Sequence, residues 1–211
     1  NLIAGGVPAE RIHITGSPAF DGLSDLLRAK EAAQDRSTLG WQGLKVILWA
    51  GNMEALLPET GPESNPAWFP LQVERILRDY VRTHADTALV IRYHPNQVQH
   101  FEPGPPEPRV LWSVPLERHP HRDILLADLV VVNGSTMGLE AAVAGKSVLA
   151  MDNSPGRHIF PLSEFGVARG VAGFADLAGA VDAALHEPFT SEFARLKGAA
   201  AGRVADVIEQ V

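Results

Sequence analysis

The chain contains no cysteine, and that single absence excludes disulfides, thiolate-held metals and cysteine nucleophiles. Positive charge is also scarce. Eighteen Lys and Arg stand against 25 Asp and Glu, a net charge of −7 over 211 residues, so no basic face is large enough to grip a nucleic-acid backbone and nucleic acid is not an expected partner. No apolar run approaches the ~20 residues that cross a bilayer, and no basic segment followed by an apolar one marks the N-terminus as a signal peptide. An initiator Met is missing as well. The chain opens Asn1-Leu2-Ile3-Ala4-Gly5-Gly6, which gives the expectation of a piece cut from a longer protein. What is present is ordinary for a folded domain: 45 % hydrophobic and 20 % charged residues, enough for a sizeable core in one domain or at most two.

From residue 45 onward, short β-branched runs alternate with helical periods, the pattern of βα units around a parallel sheet. Lys45 to Ala50 (KVILWA) is continuously apolar after its first residue, as a strand buried on both faces would be, and it runs into the Gly51-Asn52 turn. The Pro- and Glu-rich stretch through Gly61 and Pro66 reads as loop. Phe69, Val73, Ile76, Leu77, Tyr80 and Val81 then recur on one helical face, with Pro70 tolerable in the first turn. Thr87 to Tyr93 is a second strand, stopped by His94-Pro95 because Pro95 cannot donate to a ladder and biases His94 away from helix. Phe101 to Pro108 (FEPGPPEP) is a rigid connector. Arg109 to Trp112 reads as a third strand, His121 to Ala127 as a short helix and Asp128 to Val132 as a fourth strand. A helix over Thr136 to Ala144, closed by Gly145, and a fifth strand over Ser147 to Met151 complete a doubly wound, Rossmann-like α/β fold. Arg11 to Thr15 alternates as an edge strand or an interdomain connection. The tail from Gly173 reads as two or three helices.

In open α/β sheets, ligands bind at the carboxyl ends of the strands. Three segments land there: Gly51-Asn52, Arg92 to Asn96, and Asn133-Gly134-Ser135-Thr136. The last is the strongest, because a Gly-Ser-Thr turn at a helix start offers backbone N–H groups and a positive dipole end to an anion. Ser and Thr are also the preferred caps of any helix, so a plain capping role stands beside the phosphate role. Glu140 lies too far along for a capping box, which needs it at the third position. Its place four residues after Thr136, on the same face, sets a carboxylate behind the anion site, where it could accept from a ribose diol.

Ile14 to Leu23 (ITGSPAFDGL), Arg92 to Asn96 (RYHPN) and, above all, Ala127 to Asp152 (ADLVVVNGSTMGLEAAVAGKSVLAMD) resemble the C-terminal, nucleotide-sugar-binding half of GT-B glycosyltransferases. They also resemble the related non-hydrolysing UDP-N-acetylglucosamine 2-epimerase. The resemblance implies that Ser135 and Thr136 contact a diphosphate, that Glu140 binds the ribose and that Val114 to Leu116 lies against the base, with Gly51, Asn52 and Gly134 also in the nucleotide-sugar site. It implies that Arg92 or His94 takes up charge as the diphosphate leaves. The substrate so implied is a nucleoside-diphosphate sugar, UDP-linked, with no obligatory metal, cofactor or nucleic acid. The epimerase's Ser-Gly-Gly is Ser135-Thr136-Met137 in this chain, and the epimerase's catalytic carboxylates belong to an N-terminal half. Both departures favour the glycosyltransferase.

Blander readings stand beside these. His94 reads equally as a structural histidine at a strand end, and Asp128 as a boundary residue. His119 and His121 form a His-x-His pair without a spaced third metal ligand. Asn133-Gly134-Ser135 satisfies the glycosylation pattern, but at the end of a buried strand it reads as chance. Ser135 does not sit in Gly-x-Ser-x-Gly, so a serine nucleophile fails on spacing. The resulting expectation has three parts. Residues 1–22 link from a missing N-terminal domain, 23–186 form the nucleotide-sugar-binding domain, and 187–211 form a helical tail packed upon it. The whole protein would transfer a sugar to a surface-polysaccharide or glycolipid acceptor in the cytoplasm, or at the inner face of the membrane, and this piece alone would bind donor without turnover. The alternatives are an epimerase-like isomerase and a non-catalytic nucleotide-binding module.

Overall fold

The computed structural model describes residues 2–24, 26–54, 62–196 and 198–210. Among them, six strands form one sheet: β1 (Lys45–Gly51), β2 (Thr87–Tyr93), β3 (Val110–Trp112), β4 (Leu129–Val132), β5 (Ser147–Met151) and β6 (Arg169–Val171). The order is β3-β2-β1-β4-β5-β6, and every neighbouring pair is parallel. This is a Rossmann-like doubly wound sheet with its switch point between β1 and β4.

The apolar runs of β1, β2, β4 and β5 are continuous because both faces of these strands are covered. Ile47, Trp49, Leu89, Ile91 and Val131 pack with Phe69, Val73 and Leu77 of α2 (Trp68–Thr83) and with Leu177 and Val181 of α5 (Phe174–His186). On the opposite face Leu48, Val90, Val130 and Val148 pack with Ile124 of α3 (Pro120–Leu126) and with Ala141 and Ala142 of α4 (Thr136–Val143). Each fully buried Leu, Ile or Val contributes about 1.5–3 kcal/mol.

Three expectations change. The sheet has a sixth strand, β6, that the pattern does not announce: it is three residues long and its Arg169 and Gly170 are exposed. Arg11 to Thr15 is not an edge strand. Arg11 ends a 3-10 turn, and the segment after it runs against α6 (Ala200–Glu209), where Arg203 Nε donates to Thr15 O at 2.7 Å. Asp21 receives the Ala200 and Ala201 N–H groups, which hold its carboxyl below the usual range. α1 (Leu26–Thr38) is the other unannounced element. Its Asp35 is bound by Arg118 and Arg122, so α1 is held to α3 in part by charge and shows no clear apolar stripe. Of the loop expected through Gly61 and Pro66, residues 55–61 lie outside the described residues, and Pro62–Ser64 is a 3-10 turn.

Candidate functional site

At the switch point β1 and β4 end side by side, and the turns that follow them are joined by two side chains, Asn133 and Asn52, the latter donating from Nδ2 to Gly134 O at 3.3 Å. Asn133, 4 % exposed, accepts from Asn52 N at 2.9 Å and donates from Nδ2 to Asn52 O at 2.8 Å, extending the β1–β4 pairing by one side-chain rung. Gly134 turns the chain with φ +75°, a conformation that favours glycine. Ser135 then caps α4, its Oγ accepting from Met137 N at 3.3 Å. The capping reading of Ser135 is therefore correct as far as it goes, and its hydroxyl proton remains available to donate. Thr136, the first residue of α4, is exposed.

A cavity of about 160 Å³ opens in front of this turn. Gly51, Asn52, Arg92, His94, Ser135, Thr136 and Glu140 all line it, so seven of the expected site residues converge from three separate segments. Gly51 is needed for space: a Cβ there would stand 2.7 Å from the Tyr93 ring and 2.9 Å from Trp49. Tyr93 cannot yield, because it stacks on Phe101 and donates its hydroxyl to Glu74 at 2.6 Å. Burial, then the Glu74 charge, pushes the Tyr93 hydroxyl far above its ordinary value and keeps it neutral.

Arg92 is 3 % exposed. Its Nη1 donates to Ser113 Oγ at 2.8 Å, Arg118 O at 3.0 Å and Asp123 Oδ2 at 3.0 Å. Asp123 is bound in turn by Arg118, which reaches Asp35. Burial pulls the Arg92 guanidinium below its usual value, and Asp123 opposes that. What reaches the cavity is thus a partly neutralised pair. His94 is exposed, and its Nδ1 accepts from Asn96 N at 3.2 Å, which leaves Nε2 as the ring's donor. Glu140 Oε2 lies 3.2 Å from His121 Nε2, with the carboxylate still lining the cavity.

A second cavity, of about 240 Å³, adjoins the first and shares Asn52 and His94 with it. Gly134, Glu54, Gln97, Asn133 and Gly156 line it. Glu54 and Gln97 are not among the residues expected from sequence, whereas Asn133 opens the strongest of the three expected segments. Glu54 shows in the sequence only as part of a loop; the available signal is that, like Asn133, it follows a buried strand at the switch point. Val114 and Leu116 line neither cavity, and Leu116 is 94 % exposed. His119 caps α3, its ring accepting from His121 N at 3.2 Å. Among the described residues, no three His, Asp or Glu side chains are grouped to hold a metal ion, and no helix is long and apolar enough to cross a membrane.

No protein-family model and no curated protein matches the sequence. Solved structures do match in fold. A candidate UDP-N-acetylglucosamine 2-epimerase from Listeria monocytogenes shares 21 % identity at a TM-score of 0.63, over 99 % of this chain and 56 % of the other. The UDP-GlcNAc 2-epimerase of Neisseria meningitidis, bound to UDP-GlcNAc, shares 14 % at 0.62, over 100 % and 58 %. The wall teichoic acid polymerase TagF, in a form soaked with CDPG, shares 15 % at 0.61, over 97 % and 51 %. The chain therefore has the fold of about half of each of these proteins.

Proposed function

We propose that the cleft at the switch point binds a nucleoside-diphosphate sugar, UDP-linked, and that the chain is the donor-binding domain of a GT-B glycosyltransferase acting on a surface-polysaccharide or glycolipid acceptor. One observation carries this reading. The start of α4 with the exposed Thr136 and, one turn on, the Glu140 carboxylate line the same cavity, so an anion and a diol are met in the order a nucleotide presents them. Two similar structures, one bound to UDP-GlcNAc and one soaked with CDPG, support a nucleoside diphosphate as the common denominator.

In this reading the α4 N–H groups and the Thr136 hydroxyl hold the diphosphate, Glu140 accepts from the ribose, and His94 Nε2 donates to the leaving diphosphate as its charge grows. Stabilisation that strengthens as charge develops lowers the barrier without an obligatory metal. Arg92 acts from beneath, stiffening the floor through Asp123. The second wall of the cleft, with the acceptor and the general base, would belong to a further domain, corresponding to the part of the matched structures that this chain leaves uncovered. The protein would work in the cytoplasm or peripherally at the inner membrane face. Thr136 and Met137, in place of the epimerase's two glycines, favour transfer over isomerisation.

The test is titration of UDP and of uridine into the wild type, Thr136→Ala and His94→Ala, by calorimetry or, for weak binding, ligand-observed NMR. Each variant is expected to weaken UDP by roughly 5- to 10-fold, the loss of one hydrogen bond of ~1 kcal/mol, and to leave uridine unchanged. Equal losses for the two ligands would make both residues supports of the fold. No UDP binding by the wild type would remove the reading.

A further inference from the structure

The second cavity has chemistry that the first lacks. Glu54 is 6 % exposed and forms part of its wall. A carboxylate offers about four acceptor positions. Three are filled: Asn133 Nδ2 at 2.9 Å and Ser154 Oγ at 2.7 Å donate to Oε1, and Gly156 N donates to Oε2 at 2.9 Å. The close approach of Gly156 matters, since a Cβ there would stand 3.0 Å from Oε2. The fourth position, also on Oε2, has no donor among the described residues, and among them Glu54 forms no ion pair. Its charge is met by neutral donors alone, so a buried carboxylate on a cavity wall has room to accept one further hydrogen bond from a ligand.

The rest of the cavity says what that donor is. Gln97 Oε1 is taken by Met53 N at 2.8 Å, leaving its NH₂ group to donate. Asn52 and His94 are hydrogen-bonding groups on the wall shared with the first cavity, and Ile159 forms an apolar rim. A carboxylate among hydrogen-bonding groups suits a neutral polyhydroxyl group and repels an acidic one. Since the cavities share Asn52 and His94, a single ligand can span both.

We propose that the second cavity is the subsite for the transferred group of the donor, and that Glu54 Oε2 accepts from one of its hydroxyls and selects neutral, hydroxyl-rich groups against acidic ones. The proposal rests on the nucleotide reading of the first cavity. It orders the ligand along the edge of the sheet, with the nucleoside beside Glu140, the diphosphate at the start of α4 and the transferred group beside Glu54.

The experiment is calorimetric titration of UDP, UDP-glucose and UDP-glucuronic acid, the last two differing only in a hydroxymethyl against a carboxylate. The wild type is expected to prefer UDP-glucose over UDP-glucuronic acid by about tenfold or more; Glu54→Gln binds UDP as the wild type does and brings the preference below about threefold. Because glutamine would set an NH₂ group against Gly156 N–H, a second variant leaves the buried network intact. Ile159→Trp, at a position 64 % exposed, fills the cavity from its rim and should weaken UDP-glucose by about tenfold while sparing UDP. Equal wild-type affinity for the two sugar nucleotides, or variants that weaken UDP as much as UDP-glucose, overturns the subsite. If the wild type binds no UDP, the nucleotide reading falls instead.

Discussion

Asp123 and Glu54 are both buried carboxylates near the carboxyl edge of one sheet, one bonded to Arg92 and the other to Asn133, yet their surroundings have little in common. Asp123, 0 % exposed, is enclosed by Arg92, Arg118 and Ser113. Glu54 is held by an amide, a hydroxyl and a backbone N–H. The first carboxylate is neutralised by two cations and sealed from any ligand. The second is held in place and remains unfinished. Each accepts three hydrogen bonds among the described residues, so neither burial nor the number of donors separates an architectural acid from one that meets a ligand; the charge of those donors and an adjoining cavity do.

That contrast breaks first at Asp123. Asp123→Ala leaves Arg92 and Arg118 without their buried partner and is expected to destabilise the fold by about 3–5 kcal/mol in urea denaturation. A loss below about 1 kcal/mol would show that the arginines find other partners and that the network is dispensable. Glu140 is intermediate, with one oxygen near His121 and a cavity-lining carboxylate. Glu140→Ala should lower UDP affinity roughly 30-fold, ~2 kcal/mol, with little change in stability. Unchanged affinity by calorimetry would place Glu140 with Asp123, on the architectural side.

The smallest effect is in pH. Burial would raise the Asp35 carboxyl, but hydrogen bonds from Arg122 and Arg118 outweigh it and hold the group below the usual range. A carboxylate depressed in the folded state contributes stability that is present above its unfolded value of about 4 and is lost as pH falls through the folded value. Denaturation midpoints should therefore drop more steeply below about pH 4 in the wild type than in Asp35→Asn. Parallel curves would detach Asp35 from the arginine cluster.

The central strands were legible because burial on both faces writes itself as an uninterrupted apolar run, as in Val46 to Ala50 or Ala88 to Ile91. The α2 helix was legible from its single apolar stripe. β6 and α1 were not: Arg169–Val171 is too short to show a period, and α1 answers to arginines more than 80 residues away. The same divide runs through the site. Thr136 and Glu140 are neighbours on one helix, so their spacing can be read. Glu54 meets Asn133 and Ser154 from positions 79 and 100 residues distant, and no local pattern encodes such a meeting. Arg92 shows a further limit: residue type and strand-end position name a charge near the ligand, but only the fold reveals that Asp123 already holds it.

The rung that Asn133 adds beyond the ends of β1 and β4 has a mechanical consequence. Because one amide grips both the N–H and the C=O of Asn52, the two loops that face the ligand behave as a single plate. Neither can open without the other. A ligand arriving at the α4 turn therefore finds the Gly51-Asn52 side already set by a side chain that also forms part of the second cavity's wall.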